Sequence, residues 1–326
     1  SDSLICGENF SEVSAQVMGK LEVFMLWLLL ACSDDAAIIK IGSSKQIVTT
    51  DHLKAFTKDP WLMSRISIIH SLGDIWAMGS KPQFALLNII VPEASKSIQA
   101  NWLEEIMDAA NYTFLNENIS LIGGHTTQGA ELTIGVTLLG DMVSKPTEIG
   151  NAKIGDKIIL TKPIGTGVIL AGEMQGLTSA HDLTNALSWM QKSQSSLVEI
   201  AKECNAITDV TGFGLIGHLM NICEASHVSA TVSIKKIPLL NGSIELVKNG
   251  VESTLFPENK SKNKNVHLIN DQALNLLFDP QTSGGMLISA SNKKVEAVQK
   301  HLTKSGLLSS VIGEMGHGEP YISIRN

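Results

Sequence analysis

The sequence predicts a mixed α/β protein of the α+β type, arranged as two halves of similar size rather than as one doubly wound parallel sheet. Three observations predict it. A chain of 326 residues is long enough for about two domains, each with its own core. Short apolar runs bounded by Gly, Pro and Asp alternate with amphipathic stretches, as interleaved strands and helices do. The periodicity breaks over Val143 to Asp156, where Pro146, Gly150 and Gly155 fall together, and this stretch reads as the linker.

The elements follow in order. Phe24 to Cys32 (FMLWLLLAC) is apolar throughout, but nine residues cannot cross a bilayer, which takes about 20. Asp2, Glu8, Glu12 and Glu22 in front of it do not suit a secretory signal, so the run reads as a buried helix end or strand. Ala36 to Ile41 and Gln46 to Thr50 read as strands joined by the polar turn Gly42-Ser43-Ser44. A helix runs from Pro60 to Met78, because Asp59-Pro60 is a start signal and Gly79 a stop. Phe84 to Val91 is an apolar strand between Pro82 and Pro92, Trp102 to Leu115 recurs at helical spacing, and Glu131 to Leu139 alternates as a strand. Beyond the linker, Ile158 to Thr161 is a strand ending at Lys162-Pro163, and Leu183 to Cys204 and Gly214 to Ala225 are helices, the first of them long. Val228 to Ile234 and Ser310 to Glu314 are strands, Lys293 to Leu302 is helical, and Glu258 to Asn265 (ENKSKNKN) is a solvated loop.

Composition excludes several function classes. Charged residues make up 17% of the chain and apolar residues 44%, which speaks for a large buried core and against disorder. A net charge of −7 lacks the electrostatic footprint of a nucleic-acid binder. Cys6, Cys32, Cys204 and Cys223 are too scattered for a disulfide framework or a zinc site, which places the chain in a reducing, cytoplasmic compartment away from any membrane. GxxxxGK[ST], GxSxG and HExxH are all missing. A nucleotide would have to be held by metal and backbone amides.

Two sets of residues could do so. Asp34-Asp35, Asp51, Asp74 and Asp209 stand at strand ends or strand–helix junctions, and carboxylates are the ligands that Mg²⁺ selects. Gly123-Gly124-His125-Thr126, Gly165-Thr166-Gly167, Gly212-Phe213-Gly214 and Ser283-Gly284-Gly285 read as turns where backbone N–H groups can approach an anion. Singly, each Asp reads equally as a cap and each glycine cluster as an ordinary turn.

These residues carry a resemblance. DDAA from Asp34, TTD ending at Asp51, DIWAMG from Asp74, GGHT from Gly123, LTKPIGTG from Leu160, TDVTGFGLIGH from Thr208 and DPQTSGG from Asp279 occur in the order found in the selenophosphate synthetase (selenide, water dikinase) family. That family is part of the aminoimidazole ribonucleotide synthetase-like superfamily, and the last three motifs are the ones particular to the selenium enzymes. The resemblance implies a flexible segment over 1–33, a nucleotide-binding and dimerisation domain over 34–155 that forms a dimeric β-barrel, and an α+β domain over 156–326. It implies ATP and hydrogen selenide as substrates, Mg²⁺ as cofactor and a homodimer. By motif, Asp35, Asp51, Asp74 and Asp209 correspond to metal ligands. Asp51, Asp74, Gly123, Gly124, His125 and Thr126 fall in the nucleotide cleft. Cys6 matches the reactive Cys, while Asn9 stands where the family carries a Lys. An amide there neither neutralises a transferring phosphoryl group nor lowers a thiol pKa as a cation would. Two other readings remain open at this point: a different ATP-using member of the superfamily, and a nucleotide-binding or selenium-handling module with little catalysis.

Overall fold

A computed structural model of the protein describes residues 34–41, 44–142, 145–267 and 272–326. The apolar run at 24–32 lies outside them. The first half forms an open five-stranded sheet from β1 (Ala37–Ile41), β2 (Ser44–Lys54), β3 (Lys81–Pro92), β4 (Ser120–Gly129) and β5 (Thr133–Asp141), in the order β1-β2-β5-β3-β4. All its pairings are antiparallel except β3 with β4. β2 runs four residues past the apolar stretch that marks it, so Asp51 lies within a strand instead of after one, paired with Val136. Gly123 to Thr126 also correct the expectation of a turn: they form the middle of β4. Glycine is needed there for close approach, since a Cβ on Gly124 would lie 1.9 Å from the Leu87 carbonyl oxygen on β3.

Helices α1 (Pro60–Ala77) and α2 (Lys96–Asn116) accompany this sheet. The Asp59 side chain caps α1 by accepting from the Leu62 N–H at 2.9 Å, and the chain leaves the helix through Gly79 at φ +66°. Nearly every side chain of α1 is buried, because the helix is covered on two sides. Ile47, Val136 and Leu138 of the first sheet and Ile159, Ile207, Met286 and Ile288 of the second belong to the same core as Leu72, Ile75 and Trp76.

The second half forms a seven-stranded sheet from β6 (Lys157–Leu160), β7 (Ala206–Asp209), β8 (Ser229–Ser233), β9 (Val266–His267), β10 (Met286–Ala290), β11 (Ser310–Gly316) and β12 (Ile322–Arg325). Their order is β7-β10-β6-β11-β8-β12-β9, antiparallel as far as β8 and parallel beyond it. Alternation along the strands divides it between two cores. Ile159 and Ile288 face α1, whereas Ile158, Leu160 and Leu287 face α6 (Gly214–Ser226), one of seven helices described in this half. The others are α3 (Thr166–Met174), α4 (Ala180–Met190), α5 (Leu197–Ile200), α7 (Ser243–Lys248), α8 (Phe256–Lys262) and α9 (Asn292–Lys304).

Two expectations need correction here. The long helix over Leu183 to Cys204 is broken after Met190, because Gln194 turns inward: its Oε1 accepts from Thr161 at 2.5 Å and its amide donates to the Gly284 carbonyl at 3.1 Å. The polar stretch from Glu258 begins as α8, not as loop, with Asn259 buried and donating to the Gly212 and Phe278 carbonyls. No helix among the described residues is long and apolar enough to cross a membrane.

Candidate active site

Asp35, Asp51, Asp74 and Asp209 come from four separate parts of the chain: two positions ahead of β1, the middle of β2, the last turn of α1 and the end of β7. They meet where the second sheet backs onto α1. Gly73 makes the approach possible, since a Cβ there would stand 3.3 Å from Asp209 Oδ2. Thr208 donates to Asp35 Oδ1 at 2.7 Å, Thr49 to Asp74 Oδ2 at 2.5 Å, and Thr211 to Asp209 Oδ1 at 3.4 Å. Asp34 is used differently: its Oδ1 accepts the Ile149 N–H at 2.9 Å and ties the start of β1 to the chain between the sheets.

The electrostatics of the cluster are unsatisfied. Burial, followed by the charge of Asp209, raises the Asp35 carboxyl well above the ordinary carboxylate range. Burial and the charges of Asp209 and Asp35 do the same to Asp74, and burial pushes Asp209 up to about 6. Asp35 Oδ2 is buried and has no hydrogen-bond partner. Asp51 is the exception: its own burial acts to raise it, but the hydrogen bonds from His70 and from the His52 N–H outweigh that, so it stays ionised below the usual range. An orphaned carboxylate oxygen among mutually repelling aspartates suits a hard divalent cation. Among the described residues no three His, Cys, Asp or Glu side chains form a ready-made cage.

His70 on α1 joins Asp51 to the second half. Its Nε2 lies 2.8 Å from Asp51 Oδ2, and its Nδ1 accepts the Ser283 N–H at 3.0 Å. Ser283 has a left-handed backbone at φ +50°, and its carbonyl accepts from the fully buried Lys162 at 3.0 Å. Burial and the neighbouring Lys192 bring the Lys162 amine down to about 7, against the pull of Asp209. His70, Thr49, Thr208 and Gly73 lie outside the sequence-based candidates. Thr49 and Thr208 do fall inside the motifs, but a His in an apolar helix carries no sequence signal.

Gly123, Gly124, His125 and Thr126 are not in contact with the aspartates. Gly124, Leu87, Val136 and Asp51 form one row across β4, β3, β5 and β2, so Gly124 and Asp51 are three strand spacings apart, roughly 14 Å. Cys6 and Asn9 lie outside the described residues. Cys204 and Cys223 are no substitutes, because burial pushes both thiols up to about 12.

Comparison with known proteins gives a consistent result. Residues 33–142 match the model for AIR synthase related protein, N-terminal domain, and residues 153–324 the model for its C-terminal domain. A selenide, water dikinase of Clostridioides difficile strain 630 is 30% identical over 328 residues, covering 96% of this chain and 93% of its own. A selenide, water dikinase of Caldanaerobacter subterraneus subsp. tengcongensis is 34% identical, covering 90% of this chain and 87% of its own. Among solved structures, a thiamine-monophosphate kinase from Stenotrophomonas maltophilia K279a superimposes with a TM-score of 0.69 at 21% identity, covering 89% of each chain. A hydrogenase maturation protein HypE in complex with ATP gives 0.65 at 16% identity, covering 87% of this chain and 80% of its own.

Proposed function

Because the chain belongs to the AIR synthase related proteins and, within them, to the selenide, water dikinase family, we propose that it converts ATP, selenide and water into selenophosphate, AMP and orthophosphate. The observation that carries the reading is the buried aspartate cluster with its orphaned Asp35 oxygen, which is built for cation-borne phosphate. Asp35, Asp51, Asp74 and Asp209 would hold Mg²⁺, which supplies charge neutralisation for the triphosphate. The nucleotide lies across the first sheet, its phosphates at Asp51 and Asp74 and its far end over Gly123, Gly124, His125 and Thr126 on β4, a placement the 14 Å row accommodates. Selenide, an anion at neutral pH, needs positioning more than a general base, and the protein's share of the work is orientation and charge. Cys6 is the thiol that handles selenium, with Asn9 three positions after it in the sequence.

The same reading includes domains over 34–155 and 156–326, a reducing cytoplasmic setting and a homodimer. Exposed Ile38, Ile39, Phe84 and Ile122 on the first sheet support the dimer, as does β4, an edge strand exposed along most of its length. Two copies closing these edges together would make the β-barrel. The test is incubation with ATP, Mg²⁺ and selenide, followed by phosphorus NMR. Selenide-dependent AMP and a phosphorus–selenium signal are expected, both lost in Cys6→Ser; AMP that forms equally without selenide overturns the assignment.

A further inference from the structure

We propose that His70 is a positioning residue, which sets the orientation of the Asp51 carboxylate toward metal and phosphate and takes its own orientation from the Ser283 turn of the other half. The proposal rests on the reading of Asp51 as a ligand of the metal–nucleotide. Its geometry is explicit. A backbone N–H can only donate, so the Ser283 N–H 3.0 Å from Nδ1 fixes that nitrogen as the acceptor and leaves the ring proton on Nε2. That proton points at Asp51 Oδ2, 2.8 Å away. Asp51 Oδ1 accepts the His52 N–H at 2.8 Å, so each carboxylate oxygen is held by one hydrogen bond and keeps a lone pair for a ligand.

The anchor behind His70 is itself immobilised. Ser283 uses all three of its polar groups: the N–H to His70, Oγ to the Met190 carbonyl at 2.6 Å, and the carbonyl to Lys162 Nζ at 3.0 Å. His70, Ser283 and Lys162 are all buried. A carboxylate in the first sheet is thereby aligned by a loop that follows it by more than 200 positions in the sequence. Such outer partners tune metal affinity through the ligand they orient.

The test compares His70→Ala, His70→Gln and Asp51→Asn with the unmodified protein, using Mn²⁺ as probe in the presence of ATP and reading free Mn²⁺ by electron paramagnetic resonance. His70→Ala should weaken Mn²⁺ binding about 10- to 100-fold and raise the KM for ATP more than it lowers kcat. His70→Gln, with an oxygen for the Ser283 N–H and an amide for Asp51, should recover most of the affinity. Nitrogen-15 NMR of the unmodified protein should show His70 protonated at Nε2 and bare at Nδ1, a readout that no folding defect can mimic. Mn²⁺ affinity unchanged in His70→Ala but lost in Asp51→Asn overturns the positioning role alone, as does a proton on Nδ1. Unchanged affinity in Asp51→Asn overturns the ligand reading of Asp51 and the proposal with it. The Mn²⁺ titrations and the NMR measurement require no selenide, so they stand apart from the turnover assay.

Discussion

His218 keeps a neutral ring close to the acidic cluster, with Nε2 accepting the Thr211 N–H at 3.0 Å. Burial brings its pKa down to about 4. The unfolded chain takes up this proton near pH 6.5, whereas the folded one resists until about 4. Between those values the unfolded state holds more protons, so this group's contribution is complete above pH 6.5 and is lost as the pH falls. His218→Gln should remove that acid sensitivity, a difference of at most about 3 kcal/mol between pH 7 and pH 4. Urea unfolding of both proteins at pH 7, 5.5 and 4.5 measures it. The raised carboxyls of Asp35, Asp74 and Asp209 act in the opposite sense, since their folded state is the one that holds extra protons, so the variant must be read against the parent. At this scale the sequence was informative about charge and silent about pairing. The four aspartates stood out because carboxylates beside apolar strands are chemically conspicuous. His70 did not, because a ring whose two partners are Asp51 and Ser283 acquires its role only from a contact 213 positions away.

Strand β4 has no room for a side chain at Gly124. Gly124→Ala should destabilise the protein by about 1–3 kcal/mol, because the new methyl would meet the Leu87 carbonyl and force β4 off β3. Gly212→Ala, which has open space around it, is the matched control for denaturant unfolding. Equal stability of the two variants would show that β4 yields freely. Element starts and stops were legible wherever one residue makes the signal: Asp59-Pro60 and Gly79 bracket α1 closely. They were illegible where a side chain from elsewhere decides. Gln194 ends the α4 region by bonding to Thr161 and Gly284, and neither partner is near it in sequence. GGHT looks like a turn by composition, yet it is a strand, because there Gly124 serves the approach of a neighbouring backbone.

For the whole molecule, light scattering at micromolar concentration should give twice the chain mass of 35.0 kDa, and Phe84→Glu with Ile122→Glu should halve it by charging two exposed apolar positions of the first sheet. A parent protein of single-chain mass would refute the dimer. The two-half pattern was visible from the break over Val143 to Asp156, but the division of the interior was not. Helix α1 belongs to the first half by sequence and packs against strands of both sheets. A cut in the chain near residue 150 is therefore not a cut in the core. The consequence concerns heredity more than chemistry. A chimaera that joins the first 150 residues of one relative to the remainder of another would inherit an α1 surface shaped against one β7 and β10 and set it upon a different pair. Gene exchange between lineages that crosses this junction is disfavoured by packing even though both parents fold, and the rear face of α1 should vary in step with Ile207, Met286 and Ile288 rather than with its own sheet.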